Sequence, residues 1–369
     1  MHIGITFDLK SATPLDPNLS DDQQEEFDSP HTIEAIAKVL RGMGHEVTLL
    51  GDNREFVEKA LNAKLDLVFN FAEGTGVSRS REARVPAALE LLGIPYTGSD
   101  PFTMAATLDK NCAKLIVAQA GVAVPRSFAL EPDMAVADIP SDRLIFPLVV
   151  KPAWEGSSKG IRNTCLVDRL EEMVGVVEPL RQSQRQTLLL EEYIRGDEIT
   201  IGLYGNADPQ VIGIMQVVPN QPNDRFVYTL EVKREYQQHV TYRCPPDWPE
   251  EKLRRAEAAA KTAFRALGCR DVARVDFRVR DGVPYFLEVN PLPGLNPIDS
   301  DLVIMAKLAG WTYPQLIETI VQTALARSGS FGCGLFSFGP PVSRSAPRRA
   351  DCVPCNSKVY CPRSAARRG

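Results

Sequence analysis

The sequence predicts an α/β protein whose C-terminal part is of the α+β class. Strand and helix patterns alternate through about the first hundred residues, which is typical of a mostly parallel sheet with helices on its faces. Beyond residue 184 strand patterns become more frequent, and a few long helical patterns separate them. The length of 369 residues suggests two or three domains with sizeable cores.

The N-terminal region begins with a strand and continues as alternating helices and strands. Ser29 and Pro30 are typical of a helix start, and Gly44 is typical of a helix end. The predicted elements are, in order, a strand at 2–8, a helix at 30–44, a strand at 46–50, a helix at 54–63, a strand at 65–71, a helix ending at 92 and a strand at 94–97. We expect these elements to form an N-terminal domain over residues 1–98.

The rest of the chain predicts two further domains and a tail. Its predicted elements are one or two helices at 100–121, a strand at 146–151, strands at 188–194, 198–204 and 211–217, a helix at 250–267, a hairpin at 273–290 and a helix at 314–326. We expect a central domain at 99–183 and a C-terminal domain at 184–327. Residues 328–369 are rich in Gly, Pro, Ser and Arg, which predicts a disordered tail.

The charge pattern argues against nucleic acid as the main partner. The net charge is −5, but residues 328–369 hold seven Lys or Arg and one acid, so the first 327 residues carry −11. No run reaches the roughly 18 apolar residues that span a bilayer. The N-terminus MHIGITFDLK lacks a signal-peptide pattern. We therefore expect a cytoplasmic protein that binds neither nucleic acid nor a membrane.

The predicted hairpin RVDFRVRDGVPYFLEVNPLPG brings acidic residues close together. A two-residue turn at DG would place Asp276 and Glu288 on opposite faces of the ribbon. A three-residue loop, RDG, would instead place both on one face, together with Arg274 and Asn290. Two carboxylates and an amide on one face supply the hard oxygen ligands that Mg²⁺ prefers. The alternative is a solvated face on which Arg274 forms a salt bridge with Glu288.

A loop with the sequence VKPAWEGSSKGI follows the predicted strand at 146–151. Lys151 stands at the end of that strand, where its ammonium group can reach a nucleotide phosphate. Gly156 and Gly160 relax the backbone, and Ser157 and Ser158 add hydroxyl donors. The loop lacks the GxxxxGK[ST] and GxGxxG spacings. It is therefore either a phosphate-binding loop of another kind or a mobile surface loop.

The segment LLLEEYIRGDEITIGLY predicts two strands joined by a short glycine turn. Glu191, the backbone near Ile194 and Glu198 could receive an adenine amino group and ribose hydroxyls. The alternative is an ordinary hairpin that carries exposed acids.

The order of these elements along the chain resembles the ATP-grasp superfamily. The resemblance is carried by LDKNCAK, VKP, EGSSKG, EEYIRGDE and RVDF…LEVNPLPGLNP, which follow one another in that order. Within the superfamily, PYTGSD, the DK pair, EGSSKG and EVNPLPG look like the D-alanine:D-alanine ligase family. The resemblance covers about residues 1–327. It implies an ATP-grasp fold behind an N-terminal parallel-sheet domain, with ATP held between two antiparallel sheets.

The resemblance also implies roles for individual residues. The implied ATP contacts are Lys110, Lys151, Ser158, Glu191, Ile194 and Glu198. The implied ligands of two Mg²⁺ ions, for which Mn²⁺ could substitute, are Asp276, Glu288 and Asn290, with Glu288 bridging the ions. The implied catalytic residues are Arg274, Ser157 and Lys233. The implied substrate contacts are Gly294, Ser300 and Asp301.

The implied reaction is the ATP-dependent joining of a carboxylate and an amine through an acyl phosphate. The expected partners are ATP and small amino acids, first of all two D-alanines for peptidoglycan precursors, in a chain that could form a homodimer. The substrate motifs depart from the family: AEGTGVSRSRE, with Glu73, replaces HGxxGEDG, Arg234 replaces a tyrosine, and Glu25 or Glu26 only loosely matches an amine-binding acid. Ligation of a different amino acid or small carboxylate is therefore one alternative. A nucleotide-binding interaction protein without catalysis is the other.

Overall fold

A three-stranded parallel sheet forms the N-terminal part of the molecule. The computed structural model describes residues 1–10, 22–162 and 164–330. The strands are β1 (His2–Phe7), β2 (Glu46–Leu49) and β3 (Leu67–Phe71), in the order β2-β1-β3. The accompanying helices are α1 (Pro30–Gly42), α2 (Arg54–Asn62) and α3 (Arg84–Leu92). The predicted parallel sheet is therefore confirmed.

The start of α1 follows from its sequence. The Ser29 hydroxyl accepts the Thr32 N–H at 3.3 Å, and Pro30 occupies the first turn, where its missing N–H costs nothing. The apolar face of α1 packs into the core through Ile33, Ile36, Ala37 and Leu40.

The prediction of a strand at 94–97 is wrong. This segment forms only an isolated bridge between Tyr96 and Val68. Pro95 has no N–H for a ladder, and Gly93 and Gly98 at either end have positive φ angles of 66° and 93°. The segment nevertheless fixes the end of the sheet, because the Val68 carbonyl accepts the Thr97 N–H at 2.9 Å.

Two helices lead from the N-terminal sheet to the middle of the molecule. They are α4 (Pro101–Leu108) and α5 (Lys110–Gln119). Asp109 caps α5 by accepting the N–H groups of Asn111 and Cys112 at 3.1 and 3.0 Å. The cap sets the first turn of α5, and with it the direction in which Lys110 leaves the helix.

A four-stranded antiparallel sheet forms the central part. Its strands are β4 (Ser127–Leu130), β5 (Leu148–Pro152), β6 (Leu166–Val167) and β7 (Leu188–Glu192), in the order β4-β7-β5-β6, and helix α6 (Met173–Gln184) packs on β5. Strand β7 was predicted to be the first strand of the C-terminal domain, but it pairs with β4 and β5 of the central sheet. A boundary between residues 183 and 184 would therefore divide this sheet.

A five-stranded antiparallel sheet forms the C-terminal part. Its strands are β8 (Asp197–Gly205), β9 (Gln210–Pro219), β10 (Val240–Arg243), β11 (Asp271–Arg280) and β12 (Val283–Asn290), in the order β10-β9-β8-β11-β12. The helices are α7 (Leu230–Arg234), α8 (Tyr236–His239), α9 (Glu250–Ala266), α10 (Asp301–Leu308) and α11 (Tyr313–Ser330). Phe264 of α9 packs on Phe277 and Phe286 of the sheet, and all three are fully buried. This packing holds the hairpin β11–β12 rigidly.

Helix α11 continues to Ser330, three residues beyond the predicted start of the tail at residue 328. The remainder of the predicted tail lies outside the described residues. Within the described ranges, no helix combines the length and apolar character needed to cross a bilayer.

Candidate active site

The hairpin β11–β12 places its acidic residues on one face by a bulge. Of the two turns that the sequence allowed, the structure has the two-residue turn, because Arg280 pairs with Val283. Asp281 and Gly282 have φ angles of 53° and 75°, as the favoured two-residue hairpin turn requires of a DG pair. The register then shifts between Asp276 and the next residue, so that the partner strand carries one extra residue.

This shift pairs Asp276 directly with Glu288 and Arg274 directly with Asn290. Directly opposed residues share a face, so all four side chains project together. Asn290 donates to Asp276 Oδ2 at 3.3 Å. The predicted one-sided arrangement of these four residues is therefore present, although a bulge produces it and not the length of the turn.

Arg274 is the buried centre of this face. Its Nη2 lies 2.9 Å from Asp276 Oδ2, and its Nη1 lies 3.2 Å from Asp301 Oδ2. Asp276 also accepts the Thr200 hydroxyl at 2.5 Å. Burial raises the pKa of Asp276, Arg274 opposes that rise, and the facing Glu288 adds to it. The two facing carboxylates thus repel each other, and a cation between them would relieve that repulsion.

Three buried lysines converge beside this face. Lys110 Nζ lies 3.1 Å from Glu288 Oε2, while Lys151 and Lys114 lie 2.7 and 2.9 Å from the two oxygens of Glu191. Burial lowers the pKa of Lys114 to about 8, against the attraction of Glu191. The predicted residues Lys110 and Lys151 are therefore brought together with the acids of the hairpin.

Lys114 was not identified from the sequence. Besides pairing with Glu191, it donates to the carbonyls of Phe286 and Leu287, next to the bulge. The available signal was its spacing, because residues four apart on a helix share a face and Lys114 follows Lys110 by four positions.

A small cavity of about 100 Å³ lies between the central and C-terminal sheets. Its walls include apolar side chains of both sheets, Val149, Val217 and Leu287. The predicted ATP contacts among its lining residues are Lys151, Ser158, Glu191, Ile194 and Glu198. Apolar walls with a few polar groups suit a ring system that makes polar contacts at its edge.

Arg278 fixes the polar edge of this cavity and was also missed in the sequence. Its guanidinium donates to Glu198 at 2.8 Å and to the Ile194 carbonyl at 2.9 Å. Arg278 lies in β11, two residues after Asp276. Because residues two apart in a strand share a face, this spacing was a signal that could have identified it.

A larger cavity of about 350 Å³ adjoins the hairpin. Its lining includes the predicted catalytic residues Ser157, Lys233 and Arg274 and the predicted substrate contacts Gly294, Ser300 and Asp301. It also includes Lys110, predicted to contact ATP, and Glu288 and Asn290, predicted to bind metal. The N-terminal domain contributes Glu26, Glu73 and Glu82 to the same lining. Strand ends and loops from all three predicted domains therefore meet at this cavity.

Asp301 is bound to cations, which limits its predicted role. It lies 3.2 Å from Arg274 and 3.6 Å from Lys233, and although burial raises its pKa, these two cations bring the pKa below its usual value. An ionised carboxylate repels a substrate carboxylate, so the side chain of Asp301 is unsuited to that contact.

Gly294 is required where the larger cavity meets Ser300. A Cβ atom at this position would lie 2.8 Å from the Ser300 hydroxyl oxygen. That hydroxyl also accepts the Asn296 N–H at 2.9 Å, which holds the turn in place.

Glu82 is a buried acid that the N-terminal domain contributes to the larger cavity. Its burial leads to a prediction about how stability depends on pH. Burial raises the pKa of Glu82 from 4.5 to about 7, although Arg81 opposes the rise. Between these values the folded chain holds a proton that the unfolded chain has lost, so the free energy of unfolding falls as the pH rises. Each pKa unit corresponds to about 1.4 kcal/mol.

We expect Glu82→Gln to reduce this fall, because glutamine does not titrate. Urea unfolding of both proteins at about pH 5 and about pH 7 measures the effect. An equal fall in the two proteins would contradict the assignment of the buried proton to Glu82.

Comparison with known proteins agrees with this geometry. Residues 116–322 match the family described as D-ala D-ala ligase C-terminus. The chain is 32% identical over 298 residues to the D-alanine–D-alanine ligase of Desulforudis audaxviator, covering 79% of this chain and 92% of that protein. It is 34% identical to the Aquifex aeolicus enzyme of the same name over 296 residues, covering 79% and 93%.

A solved structure extends the likeness to the fold. The D-alanine–D-alanine ligase of Bacillus anthracis, in complex with ATP, superimposes with a TM-score of 0.68 at 25% identity, covering 90% of this chain and all of that one. The match includes the N-terminal sheet as well as both antiparallel sheets, so the expected ATP-grasp fold is confirmed. The chain therefore belongs to the D-alanine:D-alanine ligase family of ATP-grasp enzymes.

Proposed function

We propose that this chain is an ATP-dependent ligase that joins two molecules of D-alanine through an acyl phosphate. The observation that carries the proposal is the face formed by Arg274, Asp276, Glu288 and Asn290, which lies against Lys110 at a cavity large enough for two amino acids. Membership of the ligase family supports the same reaction. A protein that bound a nucleotide without catalysis would have no need for this complete set.

The nucleotide would occupy the small cavity between the two antiparallel sheets. Ile194 and Glu198 lie at its polar edge, where backbone and carboxylate acceptors suit an adenine amino group and ribose hydroxyls. Lys151 is held charged by Glu191, because that attraction outweighs the effect of burial and raises the pKa of Lys151. A charged lysine at this depth is placed to meet a phosphate.

The residues of the hairpin fit Mg²⁺. Asp276 and Glu288 supply facing carboxylates, and Asn290 supplies an amide oxygen. In the described ranges no group of three or more His, Cys, Asp or Glu side chains is arranged for a metal, so the amide and the phosphates of ATP would complete the ligand set. The bound ion would neutralise the charge on the transferring phosphoryl group.

Arg274 is placed to stabilise the oxyanion that forms when an amine attacks the acyl phosphate. Its charge is permanent, and Asp276 and Asp301 fix its orientation from two sides. The backbone N–H near Gly294 lies at the same cavity and would be a second donor. Departure of phosphate then leaves the amide bond.

The loop of residues 154–162, which we call the lid loop, would exclude water from the acyl phosphate. Ser157 and Ser158 adopt positive φ angles of 49° and 60°, so the lid loop makes a tight turn over the cavity. The Ser158 hydroxyl donates to the Tyr228 carbonyl at 3.2 Å, which ties the loop to the C-terminal part.

Organisation, assembly and location are part of the proposal. We assign residues 1–98 to first-substrate binding, residues 99–183 together with strand β7 to one side of the nucleotide and the remainder up to 327 to the other. We also propose a cytoplasmic enzyme that acts as a homodimer, which sedimentation analysis of the purified chain would test.

The experiment that tests the reaction is a substrate panel. Purified enzyme is incubated with Mg-ATP and single amino acids, and both phosphate release and dipeptide are measured. We expect release that depends on D-alanine and produces its dipeptide. Release with a different amino acid, and none with D-alanine, would transfer the same chemistry to another substrate. If no amino acid of the panel causes phosphate release, the result would favour a nucleotide-binding protein without catalysis.

A further inference from the structure

Arg81 lies at the centre of a buried ionic network that no step of the proposed reaction uses. Its side chain is only 2% exposed. One nitrogen lies 2.7 and 2.9 Å from the two oxygens of Glu26, and another donates to the Trp154 carbonyl at 2.6 Å. Glu155 lies 3.4 Å away. Arg81 therefore joins two acids and one backbone carbonyl, two of which belong to the lid loop.

Lys159 completes the network from the far side of the lid loop. Its ammonium group pairs with Glu155 and lies 3.4 Å from Glu26. The pKa of Lys159 is raised, because the attraction of these two acids exceeds the effect of burial. Gln186 donates to the other oxygen of Glu155 at 2.6 Å. Arg81 and Lys159 therefore contact the same pair of carboxylates, Glu26 and Glu155.

Glu26 has no free oxygen for a substrate ammonium group. Its two oxygens accept from Arg81, from the Gly156 N–H and from Lys159. Although burial alone would raise its pKa, Arg81 and Lys159 lower the pKa of Glu26 to about 2, so it stays ionised at any working pH. The loose match of Glu26 to an amine-binding acid is therefore replaced by a contact with the lid loop.

A second acid of the same segment makes an equivalent contact. Asp22 accepts the Gly160 N–H at 2.9 Å and lies 3.3 Å from Arg162. Gly160 has a φ of 71°, and a Cβ there would lie 2.5 Å from Pro152. Residues of the N-terminal domain consequently hold the lid loop at several points between Trp154 and Arg162.

We propose that Arg81 is a positioning residue that holds the lid loop closed over the reacting groups through Glu26, Glu155 and Lys159. The inference rests on the proposed ligase chemistry. If the network is broken, the loop opens during the life of the acyl phosphate. Water then attacks that intermediate and returns the free carboxylate and phosphate, so ATP is consumed without amide formation.

The test compares variants that weaken the network in graded steps. Arg81→Met removes the charge and keeps the length of the side chain, Arg81→Lys keeps the charge but not the forked geometry, and Lys159→Met removes the second cation. Arg84→Met is the matched control, because Arg84 lies three residues away and is exposed, and its side chain donates to the Thr75 carbonyl at 2.8 Å. Thermal unfolding identifies the variants that fold.

The first readout is the ratio of phosphate released to amide formed. We expect a ratio of one for the parent enzyme and for Arg84→Met, and about two or more for Arg81→Met and Lys159→Met. Arg81→Lys should restore part of the coupling. A variant that is only less stable would lose rate without changing this ratio. A ratio of one in folded Arg81→Met and Lys159→Met would overturn the proposal.

The second readout needs no substrate and separates this inference from the proposed reaction. Trypsin can cut after Lys159, which the network restrains, and after Arg162, which lies three residues further along the lid loop. We expect cleavage in the lid loop to be about tenfold faster in Arg81→Met than in the parent enzyme and in Arg84→Met. If cleavage is faster in Arg81→Met but the parent enzyme forms no dipeptide from D-alanine, only the substrate assignment is contradicted. Unchanged cleavage would contradict the role of Arg81 whatever the substrate.

Discussion

Glu288→Gln is expected to abolish amide formation while the fold remains intact. Glu288 faces Asp276 across the hairpin and lies 3.1 Å from Lys110. Burial would raise its pKa, but Lys110 and Lys151 lower it to about 2, so the parent side chain is anionic at any working pH. Glutamine has nearly the same volume and no charge. We therefore expect a loss of about 10³-fold or more in turnover.

The measurement is the rate of phosphate and dipeptide formation at saturating Mg-ATP. Glu250→Gln is the matched control, because Glu250 lies on the surface of α9 with its side chain 81% exposed. Both variants should unfold at nearly the temperature of the parent protein. Turnover close to that of the parent in Glu288→Gln would refute the assignment of Glu288 to the metal and the phosphates.

Arg274→Lys is expected to lower kcat by about 10²- to 10³-fold, with little change in the KM for ATP. Arg274 donates through two nitrogens to Asp276 and through a third to Asp301. Lysine preserves the charge, so neither buried acid is left without a cation. Its single ammonium group cannot reproduce the forked geometry, and the oxyanion would lose its donor.

Steady-state kinetics with ATP varied at saturating amino acid separate the two parameters. Arg274→Met is a poorer test, because leaving Asp276 and Asp301 unpaired would cost about 3–5 kcal/mol of stability. Arg243→Lys, on β10 with an exposed side chain, is the control. A rise in KM for ATP at unchanged kcat would show that Arg274 binds nucleotide and does not act in the transition state.

Local sequence signals were sufficient for most of the fold. The cap at Ser29 predicted the start of α1, and the alternation of strand and helix patterns predicted the parallel sheet. The DG pair correctly indicated a hairpin turn. What the sequence could not predict was the bulge in β12, because no glycine marks it and the shift in register depends on how both strands pack.

Local sequence signals also could not predict to which sheet β7 belongs. Strand β7 and strand β8 are close in sequence, which favours a hairpin between them. Each instead pairs within a different sheet, β7 with β5 and β8 with β11. The small cavity that we propose for the nucleotide lies between the two sheets at this point, so it exists because β7 and β8 do not form a simple hairpin.

The contacts of the lid loop were beyond sequence reasoning for a different reason. Arg81 is 55 positions from Glu26 and 74 from Glu155 along the chain. Pairs so distant become neighbours only through the tertiary fold, and one sequence gives no information on which charges meet. Lys114, by contrast, lies on the same helix face as Lys110, and a spacing argument could have found it.

The central claim is that this site activates a carboxylate as an acyl phosphate, and isotope transfer tests it most directly. D-alanine labelled with ¹⁸O in its carboxylate is incubated with the enzyme and Mg-ATP, and the released phosphate is analysed by mass spectrometry. Attack of a carboxylate oxygen on the γ-phosphoryl group, followed by departure of phosphate, carries that oxygen into the product. We predict one labelled oxygen in each phosphate for every dipeptide formed. Dipeptide formation accompanied by unlabelled phosphate would contradict the account.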